Sequence, residues 1–195
     1  MNAFTTVQTL APQTTPAPAP APAPAPTPVT APEPSPASLA YRAAMRKLAG
    51  AVSILTVGAG DERTGLTATS VSSLSIDPPT LLICVNRSSS SLPVLRQHRS
   101  FAINVLRPHH QTLADQFAGK GGLKGPERYQ GADWTRLETG APVLADALAA
   151  FDCELEEAIE RHSHFIILGR VVAARITEPA DPLLYWAGSY RNLAL

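Results

Sequence analysis

Thr67, Ala68, Thr69 and Ser70 are four small residues in a row, three of them with hydroxyls, and Ser72 and Ser73 prolong the run. Small side chains let a flat ring approach the backbone, whose N–H and C=O groups, with the hydroxyls, can pair with the polar edge of a heterocycle. The same composition also makes an ordinary Ser/Thr-rich strand or turn. A second group, Asn86, Arg87, Ser88, Ser89 and Ser90, lies between an apolar run and a helical pattern. Hydroxyls, backbone N–H groups, one guanidinium and a helix N-terminus converge there, which suits a phosphate ester and equally suits a solvated cap. A third, His162-Ser163-His164, sets two imidazoles two apart at the start of an extended run, a spacing that can share a strand face and grip a metal. A barrel metal site would add a glutamate a few residues on. Here Phe165 to Leu168 is apolar and Gly169 follows, so no metal is assigned, and a hydrogen-bonding or proton-handling histidine or an ordinary surface one remains. Gly58-Ala59-Gly60 imitates a dinucleotide-binding turn, but Arg63 stands where the third glycine belongs and no helical pattern follows.

These residues sit in a chain of 195, with 16 basic and 16 acidic side chains and 45% hydrophobic content, enough for one ordinary domain and an extension. Zero net charge without a lysine or arginine block removes the footprint that nucleic-acid or anionic-membrane binding needs. No apolar run reaches the roughly 20 residues of a spanning helix. Cys84 and Cys153, far apart in strand-like segments, read as buried thiols of a reducing compartment, so a soluble cytoplasmic protein is expected.

Eleven of the 19 prolines precede residue 38, in an Ala-Pro repeat whose one charged side chain is Glu33. Such a segment lacks backbone donors at alternate positions and favours an extended conformation, so 1–38 is expected to be a disordered tail and 39–195 the folded domain.

Within that domain the patterns predict a helix capped by Ser38 and ended by Gly50, then a hairpin of Val52–Val57 and Thr64–Ser70. Thr80–Asn86 reads as a strand buried on both faces, Leu92–His98 as a helix, Phe101–Leu106 as a strand and 109–118 as a helix halted by glycines. Gly119 to Pro126 reads as a loop. Phe151, Cys153 and Leu155 alternate with Asp152, Glu154 and Glu156, a half-exposed strand with its charges in water. Phe165–Thr177 is a long strand with a bulge or bend at Gly169, and Leu183–Trp186 a short one. Six to eight strands joined by short turns make the class mainly antiparallel β with a few short helices, and closure into a barrel would remove the edges.

Read in order, the segments YRAAMRKLAGAVSILTV (41–57), GLTATSVSSLSIDPP (65–79), LLICVNRSSSS (81–91), FAINVL (101–106), LADQFAG (113–119), HSHFIILGRVV (162–172) and PLLYWAGSYRNL (182–193) resemble the flavin reductase family. These are FMN-binding split-barrel domains of Greek-key type that serve as reductase components of two-component flavin-dependent monooxygenases. The resemblance implies a homodimer with flavin, FMN or FAD, near the subunit interface, and NADH or NADPH as donor. It implies that Thr67, Ala68, Thr69 and Ser70 lie along the isoalloxazine, that Asn86, Arg87, Ser88, Ser89 and Ser90 hold the phosphate end, and that His164 stands near the nicotinamide. Two positions depart from the family pattern: Thr69 replaces a frequent asparagine, and His162-Ser163 replaces a frequent Gly-Asp.

The expected function is an NAD(P)H:flavin oxidoreductase that hands reduced flavin to a separate monooxygenase. Two rivals are a split barrel that binds flavin without turnover and an enzyme that retains its flavin and reduces another acceptor.

Overall fold

The computed structural model describes residues 33–193, so most of the expected tail lies outside the described residues. The elements in order are α1 (Pro36–Met45), β1 (Gly50–Ala51), β2 (Ser53–Val57), β3 (Thr64–Ala68), β4 (Ser72–Ile76), β5 (Pro79–Asn86), α2 (Ser91–His98) and β6 (Ser100–Val105). They continue with α3 (Gln111–Phe117), β7 (Trp134–Arg136), β8 (Pro142–Leu144), β9 (Ala149–Arg161), β10 (His164–Ile176), β11 (Leu184–Trp186) and β12 (Ser189–Arg191). No helix among the described residues is long and apolar enough to cross a membrane.

Seven strands form one antiparallel sheet in the order β3-β2-β6-β9-β10-β5-β4. Its two outermost strands, β3 and β4, are consecutive in sequence and joined by only three residues. A sheet whose opposite ends are tied so closely must roll, and the roll is fastened by Ser70, whose hydroxyl bonds the carbonyl of Cys84 at 3.2 Å and accepts its N–H at 3.3 Å. The expected antiparallel barrel class is what the fold shows.

β2 is buried at all five positions. Its alternate residues feed two cores: Leu55 and Val57 pack with Ile83, Val85, Phe101, Ile103, Phe165 and Ile167, while Ile54 packs with Leu106, Phe117, Val143 and Leu144 under α3. β5 buries Leu81, Ile83 and Val85 but leaves Leu82 and Cys84 half-covered, so it is buried on one face and not on both as its apolar run suggests.

Other expectations are corrected in detail. α1 begins at Pro36, a residue suited to a first helical turn, and ends at Met45; Gly50 belongs to a strand. Twelve strands are present among the described residues, because β1, β4, β7, β8 and β12 are too short or too polar to show a period. Gly169 does mark a bulge: the register passes from Leu168↔Glu157 to Gly169↔Leu155, leaving Glu156 as the extra residue on β9. A Cβ at Gly169 would meet Phe101 Cζ at 2.4 Å, which explains the missing side chain. Asp152, expected in water, is fully buried and accepts the backbone N–H of Thr139 at 2.7 Å.

Candidate functional site

The wall that positions the threonine run is built around Gly65. A Cβ there would lie 2.3 Å from the carbonyl oxygen of Leu55 and 2.6 Å from Phe117 Cε1, so glycine lets α3 and β2 close on β3 from both sides. Thr67 donates its hydroxyl to the carbonyl of Ala114 in α3 at 2.6 Å, Arg128 bonds the Gly65 carbonyl at 2.6 Å, and the Tyr129 hydroxyl bonds that of Thr64 at 2.5 Å. β3 is thereby held along its length.

Beside it opens a cavity of about 510 Å³. Thr67, Ala68 and Thr69 form one side; Gln111 and Ala118 come from α3 and the turn after it, Lys120 from the glycine loop, and Tyr185, Ser189 and Tyr190 from the β11–β12 hairpin. Small residues on one wall, aromatic rings on another and hydroxyls at the rim suit a flat, partly polar ring system. The hairpin is held by the turn after α1: Arg46 donates to the Ala187 carbonyl at 3.1 Å and Trp186 Nε1 to the Lys47 carbonyl at 3.1 Å. Burial first, then the hydrogen bond to Asp115 and its charge, push the Tyr190 phenol well above its usual range, so it stays a neutral donor.

Ser70 stands apart from its three neighbours, since its hydroxyl is spent on Cys84 in closing the barrel. Asn86 closes a turn rather than facing the cavity: its Oδ1 accepts the N–H of Ser88 at 2.9 Å and the Ser88 hydroxyl at 2.8 Å. The Ser89 hydroxyl accepts the N–H of Ser91 at 3.3 Å at the start of α2. Ser90 lines a second cavity of about 440 Å³ with Arg63, Thr64, Lys124 and Arg128. The Thr64 hydroxyl there is buried without a partner among the described residues. Arg87 is exposed and pairs with Glu160 at 3.1 Å, a surface contact weak enough to exchange for a ligand.

His164 is exposed, lies directly across from Asn86 on the neighbouring strand, and meets the Ser163 hydroxyl at 2.9 Å through Nδ1. It therefore joins the Asn86–Ser89 turn and not the threonine cavity. His162 does not share its strand face. It occupies the β9–β10 turn with φ of 51°, a left-handed backbone that explains the glycine frequent at this position in the resembling family.

The sequence reading missed Gln111, Lys120, Tyr185 and Tyr190. Lys120 sits in a loop without period, and the tyrosines come from a hairpin remote in sequence, so spacing held no sign of either.

It also missed a linked trio. Among the described residues, His109, His110 and Asp146 bring three metal-ligating atoms together. Both histidines reach the carboxylate through Nε2, at 2.9 and 3.1 Å. His110 Nδ1 accepts the N–H of Arg107 at 3.1 Å, so the proton of the neutral ring is on Nε2, toward Asp146. That tautomer makes the trio a hydrogen-bonded tie between the turn before α3 and the turn before β9. Burial outweighs Asp146 and lowers the pKa of His110 below its ordinary 6.5. The unfolded chain then takes up a proton that the fold refuses. Stability from this group is complete above about pH 6.5 and is lost as pH falls from there toward the folded value. Urea unfolding of the wild type should therefore weaken across that window, and His110→Gln should flatten the slope there while lowering stability at pH 8.

The chain matches the flavin reductase like domain over residues 45–194. It belongs to that family. It is 46% identical over 154 residues to an FMN reductase (NADH) RutF 2 of Methylorubrum extorquens, covering 79% of this chain and 88% of that protein. The bacterial flavin reductase BorF, component of a two-component tryptophan halogenase, superposes with a TM-score of 0.74 at 34% identity, over 80% of this chain and 98% of that one. The NADH:FAD oxidoreductase SgcE6 of Streptomyces globisporus, solved with NAD and FAD fragments, gives 0.74 at 30% identity, over 84% and 98%. The split-barrel fold is thus shared with flavin reductases whose sequences have diverged widely from it.

Proposed function

We propose that this flavin reductase-like protein oxidises NADH and reduces free FMN, releasing the product to a separate monooxygenase. The observation that carries the reading is the cavity walled by Thr67–Thr69, α3 and the tyrosine hairpin, in a chain whose curated relatives are named FMN reductases (NADH). NADH and FMN are preferred over NADPH and FAD on those names. A flavin supplies the hydride-accepting ring; the chain's residues bind and orient it.

In this reading Thr67, Ala68 and Thr69 face the ring, with Thr69 offering a hydroxyl where an amide is frequent. Ser70 positions them by holding the link between β3 and β4 to β5. Arg87, free to exchange its Glu160 pair for a ligand, is the phosphate contact, carried on the turn that Asn86 and Ser88 close and flanked by Ser89 and Ser90, and His164, across from Asn86, holds the nicotinamide side. Orientation is the main catalytic contribution, since hydride transfer requires reacting atoms roughly 3 to 3.5 Å apart.

A homodimer is part of the proposal. Leu74, Ile76 and Ile176 are exposed at 52%, 90% and 84%, beside an apolar groove along the outermost strand β4. Such a patch at a sheet edge suits a second copy of the chain. The free thiols of Cys84 and Cys153 support a cytoplasmic setting, and burial raises the Cys153 thiol to about 12, which keeps it unreactive.

Loss of NADH absorbance on titration with FMN, FAD and riboflavin tests the reading, and no consumption with any flavin overturns it. Arg87→Ala should raise the FMN constant about tenfold, from a charge-assisted bond of about 1.5–3 kcal/mol offset by the lost Glu160 pair, and leave riboflavin unchanged. His164→Ala should slow reduction at limiting NADH by the ~0.5–1.5 kcal/mol of a neutral hydrogen bond, with the flavin constant within about twofold. His162→Ala, in the turn, should do neither.

A further inference from the structure

Among the described residues, Lys120 is the one basic side chain lining the threonine cavity. Its ammonium lies 2.8 Å from Asp115 Oδ1, a distance of ion pairing without the alignment of a hydrogen bond, and 5.7 Å from the centroid of the Tyr190 ring. Its side chain is 67% exposed and Asp115's 28%. Gly119 and Gly121 flank it with φ of 85° and 76°, and open space surrounds both. A lysine so placed is held by one surface ion pair, weak enough to exchange, and has room to turn on the solvent side. When the ammonium leaves, the Tyr190 phenol, kept neutral by burial and by Asp115, still stands beside the carboxylate. The cavity that holds Ser90 sets Arg63, Lys124 and Arg128 beside Asp61 and Glu62, and in the reading above it serves the phosphate end. Lys120 belongs to the ring end.

Resting on the reading above, we propose that Lys120 is a charge-compensating residue of the ring site, held by Asp115 until the ring gains negative charge and then turned onto it. Hydride transfer delivers two electrons and one proton from nicotinamide C4 to flavin N5. The nicotinamide leaves as its cation and the ring keeps one added negative charge, on the N1–C2=O side. A mobile ammonium at the cavity wall favours that charged product over the neutral oxidised ring. Backbone dipoles of the Thr67–Thr69 wall are fixed in place, whereas Lys120 can turn toward the charge as it develops and adds a full positive charge to the discrimination.

The test uses the full chain and riboflavin, which lacks the phosphate. Dissociation constants of oxidised and anaerobically reduced riboflavin are measured for wild type, Lys120→Gln and Lys120→Arg, together with the midpoint potential of the bound flavin. Lys120→Gln should weaken the reduced form about tenfold more than the oxidised one, equivalent to a potential about 30 mV lower for two electrons. Lys120→Arg should restore most of the difference. Equal weakening of both forms, or an unshifted potential, overturns the proposal. A loss seen with FMN but not riboflavin also overturns it and gives Lys120 to the phosphate. Wild-type protein that binds no flavin defeats the functional reading itself, an outcome distinct from tight binding with no redox discrimination.

Discussion

Gly65→Ala is expected to lower unfolding free energy by about 3 kcal/mol, the upper part of the range for overpacked interiors, and to weaken flavin binding at least tenfold. The added methyl would meet two obstacles of different kinds. Phe117 Cε1 at 2.6 Å is a side-chain atom that can shift with its helix, but the Leu55 carbonyl oxygen at 2.3 Å belongs to the paired strand and cannot. Relief therefore comes only by parting β3 from β2 or α3 from both. Either movement disturbs the Thr67 bond to Ala114 and the wall made by Thr67 and Thr69. Adding Phe117→Ala should recover none of the stability, because it removes a buried ring and leaves the carbonyl clash. Urea unfolding and flavin fluorescence quenching measure the two effects; a Gly65→Ala protein with wild-type values of both would show that β3 is not wedged as described.

That wedge marks where sequence reasoning stopped. The strands Ser53–Val57, Ser100–Val105 and His164–Ile176 were legible because apolar, β-rich runs stand between turn signals, although the first two are buried on both faces. The bulge at Gly169 was legible because glycine inside a strand has few other causes. β7 and β8, three residues each, carry no period and were not seen. The burial of Asp152 was hidden because its partner, Thr139, lies in a turn that sequence spacing does not bring near. At the cavity, residue type made Thr67–Thr69 candidates and the family resemblance singled them out, but the opposite wall joins Gln111, Lys120 and Tyr190, which only the tertiary fold assembles. The same limit applies to the phosphate group: five adjacent residues looked like one site, and the fold sends Ser90 to one cavity while Asn86 and Ser88 close a turn. Adjacency in sequence is weaker than adjacency across strands. His164 illustrates the converse, since its register with Asn86 joins two motifs more than seventy residues apart that the sequence offered separately.

The second large effect is expected at Asn104, a polar residue in the middle of the apolar FAINVL strand. Its side chain is fully buried and satisfied on both sides: Nδ2 donates to the Ile54 carbonyl at 3.2 Å and to the Thr56 hydroxyl at 3.1 Å, and Oδ1 accepts the N–H of Leu144 at 2.8 Å. One amide thus ties β2, β6 and β8. Thr56 in turn donates to the Pro142 carbonyl at 2.5 Å, so it must accept from Asn104, and the network has one consistent set of proton positions. Asn104→Ala leaves a buried N–H at Leu144 with no acceptor and opens a cavity beside it, a loss of about 3 kcal/mol or more from the desolvation of unpaired groups alone. Asn104→Asp separates shape from charge. The carboxyl can still accept from Leu144, but when ionised it faces the Ile54 carbonyl and has lost both donors. Burial should raise its pKa above the ordinary value, about 3.9, so the variant's stability should be greatest below that pH and be lost as pH rises through the folded value. Native-state hydrogen exchange should locate the damage first at the Leu144 amide, with the His164 end of β10 unaffected, because the tie acts across β2, β6 and β8 and not along the hairpin. An Asn104→Asp protein equally stable at pH 4 and pH 8 would show that water reaches this amide.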